Sequence, residues 1–202
     1  MKPIVSVIDS LTKWAKENIC NQIRLKVPPE NHEAMDADYS YRLENPEAIP
    51  MYVPPGDKLP KGIRFVHPSL CVRFVKAGDS VAKNEGYVDV QFLLSVWDPG
   101  DHGGDLYLPN GDGTYRKQKD PNFEKGGSGW RDVWNFVDVA RRALESVTNI
   151  DGLSIDKDTD IEYGPITEQE AVVDFYPFWY SWLSFRVTYP LMRNNEDIEK
   201  YL

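Results

Sequence analysis

The segment YVDVQFLLSVW, from Tyr87 to Trp97, alternates apolar and polar side chains. Successive side chains of a β-strand point to opposite faces, so this alternation predicts a strand with one apolar face. The residues on that face are Val88, Val90, Phe92, Leu94 and Val96. We expect this long strand to lie in the centre of a sheet.

Two further segments predict strands beside it. Residues 63–76 alternate in the same way, and the polar linker 77–86 favours an antiparallel hairpin with the first segment. Near the C-terminus, WYSWLSFRVTY from Trp179 to Tyr189 puts alternate apolar residues on one face and predicts a final strand. Its other face is half aromatic and half polar, as expected where a strand is partly covered.

Two segments show helical periodicity. Apolar residues recur at helical spacing from Ile4 to Ile19 and again through WRDVWNFVDVARRALES, from Trp130 to Ser146. They predict two long amphipathic helices. The fold class expected is therefore α+β: a single domain of residues 1–202, with a mostly antiparallel sheet packed with the two helices.

Two long segments interrupt this order. Residues 28–62 contain seven prolines and little periodicity, which predicts an extended arm. Residues 98–129 contain eight glycines, and the pairs Asn110-Gly111 and Asp112-Gly113 favour a tight turn. This predicts a protruding glycine-rich loop that contains a small hairpin.

Charge and cysteine content exclude several classes of protein. A net charge of -9 disfavours binding to nucleic acid or anionic lipid, which depends on Lys and Arg. The N-terminal segment carries charges throughout, so it predicts neither a signal peptide nor a membrane span. Cys20 and Cys71 have no CxxC spacing, and we expect two reduced, packed thiols in a protein made in a cytoplasm.

Two acidic runs contain residue types that bind metal ions. In WDPGDHGGD, His102 lies within a few residues of Asp98, Asp101 and Asp105, and IDKDTDIEYG places three aspartates at alternate positions. A polar loop and a solvent-facing strand edge explain these runs more simply. No serine-nucleophile or phosphate-binding motif is complete. The sequence predicts no catalytic residue, no metal and no cofactor, and hence not an enzyme.

Four segments together resemble the tail terminator, or tail completion, proteins of tailed bacteriophages and prophages. They are IVSVIDSLTKWAKENI, YVDVQFLLSVWD, WRDVWNFVDVARRALES and YPFWYSWLSFRVTYP, in that order. The resemblance implies a structural virion protein: a ring, commonly a hexamer, that caps the tail tube and joins it to the head-tail connector. It also implies assembly in the bacterial host cytoplasm and a final place in the virion tail. The contacts would be with further copies of the chain, the tail tube protein and the connector.

A ring needs complementary patches on opposite flanks of each subunit. The arm, the glycine-rich loop and the aromatic C-terminal strand are the elements expected to supply them. The candidate interface residues are Tyr39, Tyr41, Tyr52, Asp101, His102, Tyr180 and Trp182.

Other functions remain open from the sequence. Another head-tail joining or neck protein would show the same pattern. The dense aromatic cluster from Phe175 to Phe185 also fits a carbohydrate-binding module, in which such rings stack on sugars. A metal-dependent hydrolase that uses Asp101 and His102 is a third alternative.

Overall fold

The computed structural model describes residues 3–28, 42–98, 105–111, 115–119, 129–168, 171–172 and 175–191. Two α-helices lie in these ranges, α1 (Ile4–Asn18) and α2 (Trp130–Ser146). The first seven strands are β1 (Leu25–Val27), β2 (Arg42–Glu44), β3 (Glu47–Pro50), β4 (Ser69–Ser80), β5 (Glu85–Trp97), β6 (Asp105–Pro109) and β7 (Tyr115–Lys119). The remaining strands are β8 (Asn149–Ile150), β9 (Leu153–Ile155), β10 (Glu162–Pro165), β11 (Thr167–Glu168), β12 (Ala171–Val172) and β13 (Phe178–Pro190).

The main sheet has seven strands in the order β3-β4-β5-β13-β9-β8, and β10 also pairs with β13. Strand β5 lies between β4 and β13 and is antiparallel to both, so the predicted central strand is confirmed. Strand β3 is parallel to β4 and ends the sheet on one side, whereas β8, β9 and β10 lie on the other. We call these sides the β3 edge and the β10 edge.

The expected α+β class, a sheet packed with two long helices, is wrong. The chain is mostly β, with 42% of its residues in strands, and the main sheet is a curled half-barrel. The difference comes partly from short strands such as β3, β8, β9 and β10, which have too few residues to show a periodic pattern. A bulge between Phe74 and Lys76 also adds to the natural twist of the long strands and favours curling.

Both helices nevertheless lie on one face of this sheet and form the core with it. Helix α1 buries Val7, Ile8, Leu11 and Ala15; α2 buries Val133, Phe136, Val137, Ala140 and Leu144. Helix α1 packs against β3 and β4, and α2 packs against β5 and β13. The apolar faces of β5 and β13 belong to the same core. At the centre, the rings of Phe92 and Phe185 meet edge to face with centroids 4.9 Å apart.

Within the predicted arm, residues 42–62 are described, and part of them belongs to the sheet. Strand β3 is buried at Glu47, Ala48 and Ile49. Glu47 is 1% exposed, and its carboxylate accepts hydrogen bonds from Arg64 Nε at 2.8 Å and Lys16 Nζ at 3.4 Å. A buried carboxylate requires such partners, so these contacts fix β3 to α1 and to the chain leading into β4.

The glycine-rich loop contains the predicted small hairpin. Strands β6 and β7 pair antiparallel, and Gly111 between them has a φ of 84°, which glycine adopts without strain. Both cysteines are free and buried, as predicted. Burial raises the pKa of the Cys20 thiol to about 12 and that of Cys71 to about 11, so neither is a reactive thiolate at neutral pH. No helix in the described ranges is long and apolar enough to span a membrane.

Candidate functional site

Two large apolar side chains are exposed directly after β3: Met51, and Tyr52, which is 65% exposed. Leu43 is also exposed and lies on β2, which pairs with β1 in a separate two-stranded sheet. The Met51 amide donates a 2.7 Å hydrogen bond to the Val72 carbonyl oxygen, and Met51 has a φ of 67°. The positive φ and this bond define the turn at which the chain leaves the sheet edge and exposes Tyr52.

The connection that follows, residues 51–64, is basic. It carries Lys58, Lys61 and Arg64 against one acid, Asp57. Arg64 donates to Glu47 and, through Nη1, to Glu44 at 3.2 Å, which ties the connection to β2 and β3. Lys58 and Lys61 are exposed. We call residues 51–64 the basic connection.

The β10 edge carries an aromatic patch at its junction with α2. Trp130 is 46% exposed and Tyr163 is 47% exposed. Trp134, one helical turn after Trp130, is half-buried and meets the Tyr163 ring edge to face with centroids 6.4 Å apart. The Arg131 guanidinium lies 5.3 Å from the Trp130 ring. We call Trp130, Trp134 and Tyr163 the aromatic patch.

A groove of about 520 Å³ runs from Tyr163 along the last turns of α2. The chain from Ile155 to Tyr163 forms one wall, and Arg141 and Glu145 of α2 form the other. Lys157 Nζ donates to the Leu144 carbonyl oxygen at 3.0 Å, where a cation favours the negative end of a helix. This contact holds the wall against the helix.

The same edge is strongly acidic. Residues 149–168 contain six Asp and Glu and a single Lys. Asp156 accepts hydrogen bonds from the Thr159 hydroxyl and from the Asp158 amide, and these lower the pKa of its carboxyl. Asp160 and Glu162 are exposed to solvent. The two edges of the sheet therefore differ in charge as well as in position.

A second polar cluster lies at the base of the glycine-rich loop. Asp98 is 5% exposed, and its carboxylate pairs with Lys26 Nζ at 2.6 Å. Asp132, in the first turn of α2, has a raised pKa because of burial and then because of the negative charge of Asp98 beside it. Two carboxyl groups and one lysine are thus held where the loop begins and ends.

A half-buried histidine lies on the other face of the sheet. His67 Nδ1 and the Ser95 hydroxyl are 2.9 Å apart, and the Ser95 and Ser69 hydroxyls are 2.8 Å apart. Burial lowers the pKa of His67 to about 4, so the ring is neutral near pH 7. Ser95 has no exposed surface, and the His67 ring packs 4.8 Å from that of Phe178. The His67 ring therefore has its hydrogen-bond partner and its packing within the chain. The Ser95 hydroxyl beside it is not accessible as a nucleophile.

Comparisons with known proteins give no family for this chain. No protein-family model, curated protein or solved structure matches it significantly. Its function is therefore argued from its own residues.

Of the predicted interface residues, Tyr52, Tyr180 and Trp182 lie in the described part of the chain. Tyr39, Tyr41, Asp101 and His102 lie outside the described residues. Tyr52 is exposed beside β3, whereas Tyr180 and Trp182 are half-buried on β13 in the interior of the sheet.

Both residues on β13 have contacts within the chain. The Tyr180 ring meets that of Phe175 edge to face at 5.3 Å, and Trp182 Nε1 donates to the Pro165 carbonyl oxygen at 3.0 Å. No group of three or more His, Cys, Asp or Glu side chains is arranged to hold a metal ion among the residues described.

The aromatic patch at the β10 edge was missed. The helical periodicity of the sequence places Trp130 and Trp134 in the apolar stripe of α2, and the structure shows them respectively exposed and half-buried. The signal in the sequence is their spacing of four residues, which puts two tryptophans together on one helical face. Nothing in the sequence indicated that Tyr163 lies opposite them.

Proposed function

We propose that the chain is a structural protein of a tailed phage or prophage that forms an oligomeric ring, caps the tail tube and joins the tail to the head. Two lines of argument support this proposal. One is the resemblance of four segments to tail terminator proteins. The other is the arrangement of exposed apolar residues at opposite edges of the sheet.

That arrangement carries the proposal. Met51 and Tyr52 are exposed beside the β3 edge, and Trp130 and Tyr163 at the β10 edge. Aromatic residues exposed together mark surfaces that contact a partner, whereas single exposed aliphatic residues are ordinary. Two different patches on opposite sides of one chain suit a head-to-tail contact, which generates a closed ring when the rotation between copies closes.

The overall charge is compatible with a DNA passage. A net charge of -9 gives a surface that repels phosphate, so a duplex moving through such a ring would not be retained. The ring would contact DNA without reading its sequence. Its protein partners would be the tail tube protein and the head-tail connector.

The experiment that tests the function combines the purified chain with the tail tube protein of the same phage. Electron microscopy is expected to show rings at the ends of the tubes, and tubes that stop growing once the chain is added. Unchanged tubes without terminal rings would contradict the capping function. Sugar-dependent quenching of tryptophan fluorescence in a monomer would favour the carbohydrate-binding module instead.

Another neck protein of the head-tail joint would use the same kind of edge contacts. The partner distinguishes the two roles, because a tail terminator binds the tube end and a neck protein binds the connector alone. Pull-down with each partner in turn therefore decides between them.

A further inference from the structure

We propose that the basic connection of one copy docks on the β10 edge of the next copy, with Tyr52 against the aromatic patch and Lys58 and Lys61 facing the acidic wall of the groove. This inference rests on the proposed ring and names the two surfaces that would build it. The occupant of the β10 edge is thus a second copy of this chain.

The apolar part of the contact comes from residue types that dominate interfaces. Trp, Tyr and Arg are enriched among the few residues that carry most of the binding energy, and they cluster near the centre of an interface. The aromatic patch contains two tryptophans and a tyrosine, with Arg131 over one ring. Tyr52 is the most exposed aromatic side chain at the β3 edge. Tyr52 of one copy therefore contacts the aromatic patch of the next copy in the proposed ring.

The charged part of the contact identifies the partner as a second copy. Residues 51–64 carry three basic groups against one acid, and residues 149–168 carry six acids against one lysine. In a chain with a net charge of -9, a basic segment next to an exposed Tyr and an acidic segment next to an exposed aromatic patch are complementary surfaces. Complementary potentials guide association and disfavour the two like-charged pairings, β3 edge to β3 edge and β10 edge to β10 edge. Only the head-to-tail arrangement brings opposite charges together.

The side chains that would make the charged contact are available for it. Lys58 and Lys61 are exposed, as are Asp160 and Glu162 on the opposite edge. Arg64, by contrast, is already bonded to Glu44 and Glu47 and serves to hold the connection. Reversal of the four exposed charges therefore changes the proposed contact without breaking an ion pair that the structure shows within the chain.

The experiment uses two charge-reversed chains. The first carries Lys58→Glu and Lys61→Glu, so both of its edges are acidic. The second carries Asp160→Lys and Glu162→Lys, which puts two lysines where Lys58 and Lys61 would dock and changes the net charge of residues 149–168 from -5 to -1. Light scattering after size exclusion measures the mass of each chain alone and of their equimolar mixture. Control chains carry Lys83→Glu in the turn of the β4–β5 hairpin or Asp79→Lys near the end of β4. Circular dichroism checks that every variant keeps the melting temperature of the wild type.

The expected result is loss of self-assembly in each reversed chain, with a shift of the assembly midpoint by about tenfold or more in concentration, and recovery in the mixture. The control chains are expected to assemble like the wild type. Assembly of either reversed chain at wild-type concentrations would overturn this inference. It would not contradict the proposed ring. A mixture that stays monomeric while the controls assemble would overturn it as well. A wild-type chain that never assembles would instead contradict the proposed ring itself.

Discussion

Trp179 Nε1 donates a 2.7 Å hydrogen bond to the main-chain oxygen of Asp98, 81 residues earlier in the chain. Asp98 follows the end of β5, where the glycine-rich loop begins, and Gly129 lies at the other end of the loop. A Cβ atom on Gly129 would lie 2.3 Å from Trp179 Nε1 and 2.4 Å from the Asp98 oxygen. The two ends of the loop are therefore packed around one indole, with no room for a further atom.

The Gly129→Ala variant is expected to lose about 1–3 kcal/mol of stability, as is typical of overpacking a closely packed site. Gly129 has a φ of -61°, so the loss would come from the steric contact and not from backbone strain. Urea denaturation measures it. Gly56→Ala is the control, because its Cβ would meet nothing closer than 3.9 Å. Equal stability of Gly129→Ala and the wild type would show that the indole contact is not as tight as described.

Lys26→Met is expected to be strongly destabilising, by roughly 3–5 kcal/mol, because it removes the ammonium group bonded to the buried carboxylate of Asp98. Lys83→Met, at an exposed position, is the control and is expected to change stability little. The double variant Lys26→Met with Asp98→Asn is expected to recover part of the loss, since the buried carboxylate that pairs with Lys26 is removed together with it. Chemical denaturation of the four chains checks this. A small effect of Lys26→Met alone would contradict a stabilising role for the pair.

His67 makes the stability depend on pH in the acidic range. Burial lowers the pKa of His67 from 6.5 to about 4, so between these values the unfolded chain binds more protons than the folded chain. The contribution of the neutral ring is present above pH 6.5 and is lost as the pH falls through 4, by about 3 kcal/mol in total. His67→Gln keeps a polar group beside Ser95 but does not titrate. Its urea midpoint is expected to fall less than that of the wild type between pH 7 and pH 4, and an identical fall would contradict this role.

The central strand and the positions of the helices could be predicted because their patterns are long. Five alternating apolar residues in β5 fit the two-residue period of a strand, and seven apolar residues from Ile4 to Ile19 fit the period of a helix. The predicted fold class was wrong because strands of two to four residues, such as β3, β8 and β10, are too short to show a periodic pattern. They form by pairing with residues distant in sequence. Contacts with distant residues, and not the local sequence pattern, determine whether such segments form strands.

The interface residues stay a prediction. Tyr52 is exposed, whereas Tyr180 and Trp182 are half-buried and have contacts within the chain. Alternation indicates which residues share a face, yet it does not indicate whether another segment covers that face. Here β10 pairs with β13, and its Pro165 oxygen accepts the bond from Trp182. The position of Tyr163 opposite Trp134 depends on the same pairing and for that reason could not be predicted.

The measurement that tests the ring most directly is the solution mass of four chains by light scattering after size exclusion, at several concentrations. The chains are the wild type, Tyr52→Ser, Tyr163→Ser and the control Val81→Ser, which removes an exposed apolar residue away from both edges. The account predicts a discrete species near six times the 23.2 kDa chain for the wild type and the control. For each edge variant it predicts that assembly needs a chain concentration about tenfold or more higher than that of the wild type. A wild-type mass of one chain at every concentration, or edge variants that assemble as well as the wild type, would contradict it.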